Sequence, residues 1–162
     1  MALTSNQVFF FISYAIAFIA FGLVARLYIW PSMADGDAKT VLTPLLLYAC
    51  LRVNGLMFLM PGLVSSDLPR AFATPVAYGD LTAAVLALGA LAALRYERPV
   101  ASFAVWLFNI AGTADLLYAN VATFTAHVDP VSLGVAYYLA AINVPAMLVV
   151  HTMIFLYLLR RA

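Results

Sequence analysis

Residues 7–30, QVFFFISYAIAFIAFGLVARLYIW, decide the class of this protein. Its first 19 residues, 7–25, hold no Asp, Glu, Lys or Arg, and about 20 predominantly apolar residues in a helix cross a hydrocarbon core roughly 30 Å thick. No Lys or Arg precedes Arg26, and the apolar run is too long for the core of a cleavable signal, so the segment reads as a retained membrane anchor.

Working outward from this segment, prolines and charges divide the rest of the chain into four more apolar stretches, at about 41–64, 75–96, 99–125 and 131–159. The expectation is therefore an all-α membrane protein, one transmembrane domain over 1–162 built from five helices. Pro31 is expected to end the first helix, and Pro44 and Pro61 to lie in the first and last turns of the second. Only Pro145 falls deep inside a span, where its missing N–H frees the Ala141 carbonyl and should bend the helix.

The whole chain agrees with its first segment. It has 162 residues, 66% hydrophobic and 9% charged, and a mean hydropathy of +1.02, which excludes most soluble enzyme folds. A β-barrel would need alternating segments of about 10 residues, and none is present. The net charge of +1 points to no nucleic-acid partner, and the single Cys50 forms neither an internal disulfide nor a Cys-x-x-Cys site.

Orientation follows from the basic residues. With the N-terminus outside, Arg26, Lys39, Arg95, Arg98, Arg160 and Arg161 fall on or near the cytoplasmic side, Arg70 lies outside and Arg52 is in the membrane. The positive-inside rule therefore predicts N-out and C-in.

Ionisable residues inside a span cost roughly 2.5–3.5 kcal/mol each and need a partner or a wet cavity. Arg52, near the middle of the second helix, and Asp115, about three residues outward of the centre of the fourth, are natural partners. Such a pair either fixes helix register alone or forms part of a functional site. Asn109 and Thr113 share a face of the fourth helix with Asn120, while Asn143 and His151 come from the fifth. These polar residues define an expected cluster of Arg52, Asn109, Thr113, Asp115, Asn143 and His151. Asp80 is expected at the outer end of the third helix, as a cap or a partner of Arg70.

Metal and enzyme signatures are missing. His127 is placed in the outer loop, far from His151; His-x-x-x-His and Glu-x-x-His do not occur, and Asp35-Gly36-Asp37 lacks the remaining ligands of a calcium loop. No nucleophile elbow or phosphate-binding glycine loop is present. Gly89 with Ala93, and Ala83 with Ala87, form small-residue faces suited to close helix packing, either inside the bundle or against another protein.

Several stretches together carry a resemblance: Leu59-Met60-Pro61-Gly62, Ala77-Tyr78-Gly79-Asp80-Leu81, Phe108-Asn109, Gly112-Thr113-Ala114-Asp115-Leu116-Leu117, and His151 ahead of Arg160-Arg161. From about residue 51 to the end, the chain resembles a family of small uncharacterised bacterial inner-membrane proteins. The resemblance implies that location and transfers no catalytic residue.

Three functions follow as expectations. The leading one is an intramembrane polar pocket for a lipophilic or amphiphilic molecule, such as a lipid, quinone or isoprenoid, with Arg52 binding an anionic or carbonyl group and Asp115 balancing it. No other cofactor is expected. The second is an accessory subunit of a membrane complex or a homo-oligomer, and the third a small proton-coupled carrier using Asp115 and His151.

Overall fold

The computed structural model describes residues 4–161, apart from the side chain of Asp35. Five helices are long and apolar enough to cross a membrane: α1 (Ser5–Ala34), α2 (Ala38–Leu59), α3 (Arg70–Arg95), α4 (Ala101–Thr125) and α5 (Ala136–Arg161). Among the described residues there is no strand, only an isolated bridge between Pro61 and Val64.

Local chemistry sets the helix starts. The Thr4 hydroxyl accepts the Gln7 N–H at 3.3 Å, and the Gln7 side chain accepts the Thr4 N–H at 3.0 Å, a reciprocal cap for α1. Asp37 caps α2 by accepting the Thr40 N–H at 2.7 Å, which accounts for one acid of the Asp35-Gly36-Asp37 turn; the Asp35 side chain lies outside the described residues.

Two prolines are absorbed in the same way. Pro31 does not end α1: the turn before it, Ala25–Ile29, widens to π geometry, with the Trp30 N–H bonded to the Ala25 carbonyl. Pro145 follows an equivalent π turn, Leu139–Asn143, in which the Val144 N–H reaches the Leu139 carbonyl. A proline ring collides with the carbonyl four residues earlier and offers it no N–H. A widened turn displaces that carbonyl and lets the helix continue.

The second helix departs further from expectation. It does not continue to residue 64; its last nine residues, Leu51–Leu59, form a 3-10 helix, although such runs seldom exceed three or four residues. At three residues per turn, positions 52, 55 and 58 stack on one face, and Arg52, Gly55 and Phe58 are the buried residues of this segment. The third helix starts at Arg70, directly after Pro69, and takes Pro75 into its interior. Asp80 is thereby carried ten residues, about 15 Å, from the helix start. In the last connection, residues 130–133 form a separate 3-10 turn before α5.

The third helix packs between α2 and α4; α5 packs on α4, and α1 lies against α5. Buried Ala73, Ala77, Ala83, Ala84, Ala87 and Ala90 let the neighbours of α3 approach closely. Gly89 faces the other way, and a Cβ there would meet nothing within 4 Å. Gly89→Ala is therefore expected to leave the fold intact and raise its stability by about 0.5–1 kcal/mol, the helix-interior glycine penalty, in an unfolding titration in mixed micelles.

The apolar core has two parts. One, around Phe58, Phe72, Val76 and Leu133, lies toward the end of the bundle that carries the N-terminus, here the amino end. The other, around Leu45, Leu46, Phe108, Ile154 and Tyr157, lies toward the opposite, carboxyl end. At the amino end two connections are tied together: the Ser65 N–H bonds the Ser132 carbonyl at 3.0 Å and the Val135 N–H bonds the Leu63 carbonyl at 2.8 Å. Gly134, at φ +54°, is required there because a Cβ would run into the Leu63 carbonyl. At the carboxyl end Lys39 pairs with Glu97, Arg160 lies 4.0 Å over the Trp30 ring, and Arg161 donates to the Gly36 carbonyl at 3.0 Å. The Lys39 hydrogen bond and charge hold the Glu97 carboxyl below its ordinary range.

Candidate functional site

Between the two apolar layers sits a polar group centred on Arg52, whose side chain is only 1% exposed. Its guanidinium donates from Nε to Asp80 Oδ1 at 2.7 Å, from Nη2 to Asp115 Oδ2, and from Nη1 to the Gly112 carbonyl at 2.9 Å. A longer contact of 3.5 Å runs from Nη1 to His151 Nε2. His151 in turn donates from Nδ1 to Asn109 Oδ1 at 2.7 Å, and Asn109 Nδ2 donates to the His151 carbonyl at 3.1 Å. With its proton on Nδ1, the neutral ring presents the Nε2 lone pair to Arg52. Arg52 thus joins α2 to α3, α4 and α5.

Three glycines make room for these groups. A Cβ on Gly55 would strike the Asp80 carboxyl, and one on Gly79 the Asp115 carboxyl. A Cβ on Gly112 would lie 2.5 Å from His151 Cε1 and 3.0 Å from Arg52 Nη1. Three of the four helices around the group, α2, α3 and α4, surrender a side chain to admit it. The 3-10 geometry of α2 keeps Gly55 directly in line with Arg52, which opens the place that Asp80 fills.

The structure brings Arg52, Asn109, Asp115 and His151 together and separates the other expected members. Thr113 donates its hydroxyl to the Asn109 carbonyl at 2.7 Å and takes no part. Asn143 accepts from the Tyr48 hydroxyl at 2.9 Å; it is eight residues, about 12 Å along the axis, from His151, too far for a cluster one turn thick. Asp80 is not an end cap and does not meet Arg70, which begins α3 and is exposed. The longer α3 carries Asp80 down to Arg52 instead. Sequence reasoning singled out Asp80 but put it at a helix end rather than beside Arg52, although a glycine beside an acid inside an apolar run, Gly79-Asp80, was the available signal. It also missed Asn54, which faces a hollow of about 390 Å³ between α2 and α5 beside Tyr48 and Asn143.

Arg52 offers no open face to a ligand. A cavity of about 420 Å³ lies in the amino half of the bundle, bordered by α1, α3, α4, α5 and, at Phe58, α2. Phe10, Phe11, Tyr14, Phe58, Phe72 and Phe124 form its aromatic walls. Asn120 and Thr123 line it on α4, and Gln7, His127 and Asp129 also border it. The first helix closes the side: Tyr14 donates to Asn120 Oδ1 at 3.2 Å, Phe11 stacks on Phe124 with centroids 6.4 Å apart, and the Ser13 and Tyr137 hydroxyls meet at 3.4 Å. His127 ends α4 with φ +50°, a left-handed position that glycine occupies more easily.

No curated protein and no solved structure matches the chain significantly. A family model described as "Domain of unknown function (DUF8737)" matches residues 9–159. A match over nearly the whole bundle takes in the Arg52 group and the cavity lining other than Gln7, and the chain belongs to that family.

Proposed function

We propose that the protein is an integral membrane protein that holds a lipophilic or amphiphilic small molecule in the cavity of its amino half. The observation that carries this reading is the cavity itself. About 420 Å³ with six aromatic walls and a few polar groups matches the size and lining of sites for small organic molecules. The ligand site thereby moves away from Arg52, whose donors are taken up by Asp80, Asp115 and Gly112. The Arg52 group serves as the floor that holds α2, α3, α4 and α5 in place beneath the cavity.

Membrane insertion is supported by the outer surface. Phe9, Ile12, Ile16, Ile19, Leu23 and Leu27 of α1 are all exposed, an apolar stripe that water would not tolerate on a monomer. The basic residues at the carboxyl end favour that end as cytoplasmic, which makes the amino end and its cavity external. A bacterial inner membrane is the location that goes with this orientation and with the resemblance. The first helix, mostly outward-facing and joined to α4 and α5 by few polar contacts, is the side through which a molecule dissolved in the bilayer would enter.

Ala119 lies on the cavity wall, and Ala119→Trp should fill the space without touching the Arg52 group. Native mass spectrometry of gently solubilised protein is expected to show a retained small molecule on the wild type and at least about tenfold less on Ala119→Trp. Equal retention on both, or none on the wild type, contradicts the reading. A stoichiometric protein partner in the same spectra would favour the accessory-subunit alternative.

A further inference from the structure

We propose that the cavity selects lipophilic cations, organic ammonium or phosphonium ions with bulky apolar substituents. The inference rests on the cavity being a ligand site and names the class of ligand it takes.

The charge of the lining points one way. Among the described residues, those around the cavity include one carboxylate, Asp129, one histidine, His127, and no Lys or Arg. Asp129 uses Oδ1 to accept the Val131 N–H at 3.0 Å, and the side chain is exposed, so its second oxygen remains available. One helical turn beyond the inner wall stand two more acids: Asp80 follows Val76 by four residues on α3, and Asp115 precedes Ala119 by four on α4. They face a single guanidinium, so the floor holds one more carboxyl than guanidinium.

The walls add to this preference. Aromatic faces carry negative potential and attract cations, by about 0.5–1 kcal/mol at exposed sites and more when desolvated. Six such rings border this space. An anion would meet the same rings and Asp129 with no Lys or Arg among the described lining residues to pair with. Helix ends do not decide the matter. The positive N-terminal end of α1, at Gln7, and the negative C-terminal end of α4, at Phe124, both border the cavity and oppose one another.

Tetraphenylphosphonium and tetraphenylborate have closely similar shapes and opposite charge, which isolates the sign of the preference. Equilibrium dialysis of each ion against purified protein in a non-ionic detergent, with Ala119→Trp and Thr123→Trp as plugged controls, measures binding to the cavity above partition into micelles. The expected result is a saturable phosphonium site, at least about tenfold tighter than any borate site, and absent from both plugged variants. Asp129→Asn, which keeps an oxygen for the Val131 N–H, should weaken the phosphonium site by up to about fivefold. Equal binding of the two ions, lost in the plugged variants, overturns the charge preference and leaves the cavity reading standing. Absence of any site that the plugs remove overturns the cation proposal; the retained-molecule measurement above then decides the cavity reading separately.

Discussion

Arg52→Met is expected to destabilise the bundle by about 3–5 kcal/mol, enough to prevent assembly of a protein with ordinary stability margins. The loss comes from what is left behind. Asp80 and Asp115 would face each other in an apolar interior without the guanidinium that bridges them, and the Gly112 carbonyl and His151 Nε2 would lose their donor. Removing both acids as well should reverse much of the damage: Arg52→Met combined with Asp80→Asn and Asp115→Asn is expected to be more stable than Arg52→Met alone, because no uncompensated charge remains. Unfolding titrations in mixed micelles measure both. A wild-type midpoint for Arg52→Met would show that Arg52 is not buried among carboxylates.

Gly112→Ala is expected to cost about 1–3 kcal/mol, the usual penalty for overfilling a packed interior. Intrinsic preference argues the other way, since alanine is the better helix former by about 1 kcal/mol. The local space decides: the new methyl would press on His151 Cε1 at 2.5 Å and Arg52 Nη1 at 3.0 Å. Neither group can retreat freely, because Asn109 holds the ring and two carboxylates hold the guanidinium. The same substitution at Gly89, which faces open space, has the opposite expected sign. If Gly112→Ala proves as stable as wild type under conditions where Gly89→Ala is stabilising, His151 and Arg52 do not pack on α4 as described.

The comparison of these two glycines shows how much of the fold was legible in the sequence. Five helices follow from uninterrupted apolar length, a property that needs no knowledge of neighbours. The pairing of Arg52 with Asp115 was legible for a similar reason: a buried cation needs an anion, and few are available within the spans. Helix ends and irregular turns were less legible, because tertiary packing decides them. Pro31 lies within α1 because a π turn makes space for it, and Pro75 is taken into α3, so a proline at the edge of an apolar run does not mark a helix end. The five-residue error at the start of α3 hid the role of Asp80, which seemed to lie at an end and in fact sits about 15 Å inside. The cavity was illegible for a different reason. Its walls come from segments far apart in the chain, from Phe10 to Phe124, and no spacing within one helix encodes their convergence.

One cation held between two carboxylates ties four helices of the bundle together, and solid-state NMR on uniformly labelled protein in lipid bilayers observes that arrangement directly. Dipolar transfer from guanidinium nitrogens to side-chain carboxyl carbons should give two short-range contacts for Arg52, one lost in Asp80→Asn and the other in Asp115→Asn. An Arg52 guanidinium showing neither contact, with its protons exchanging freely with water, would contradict the account.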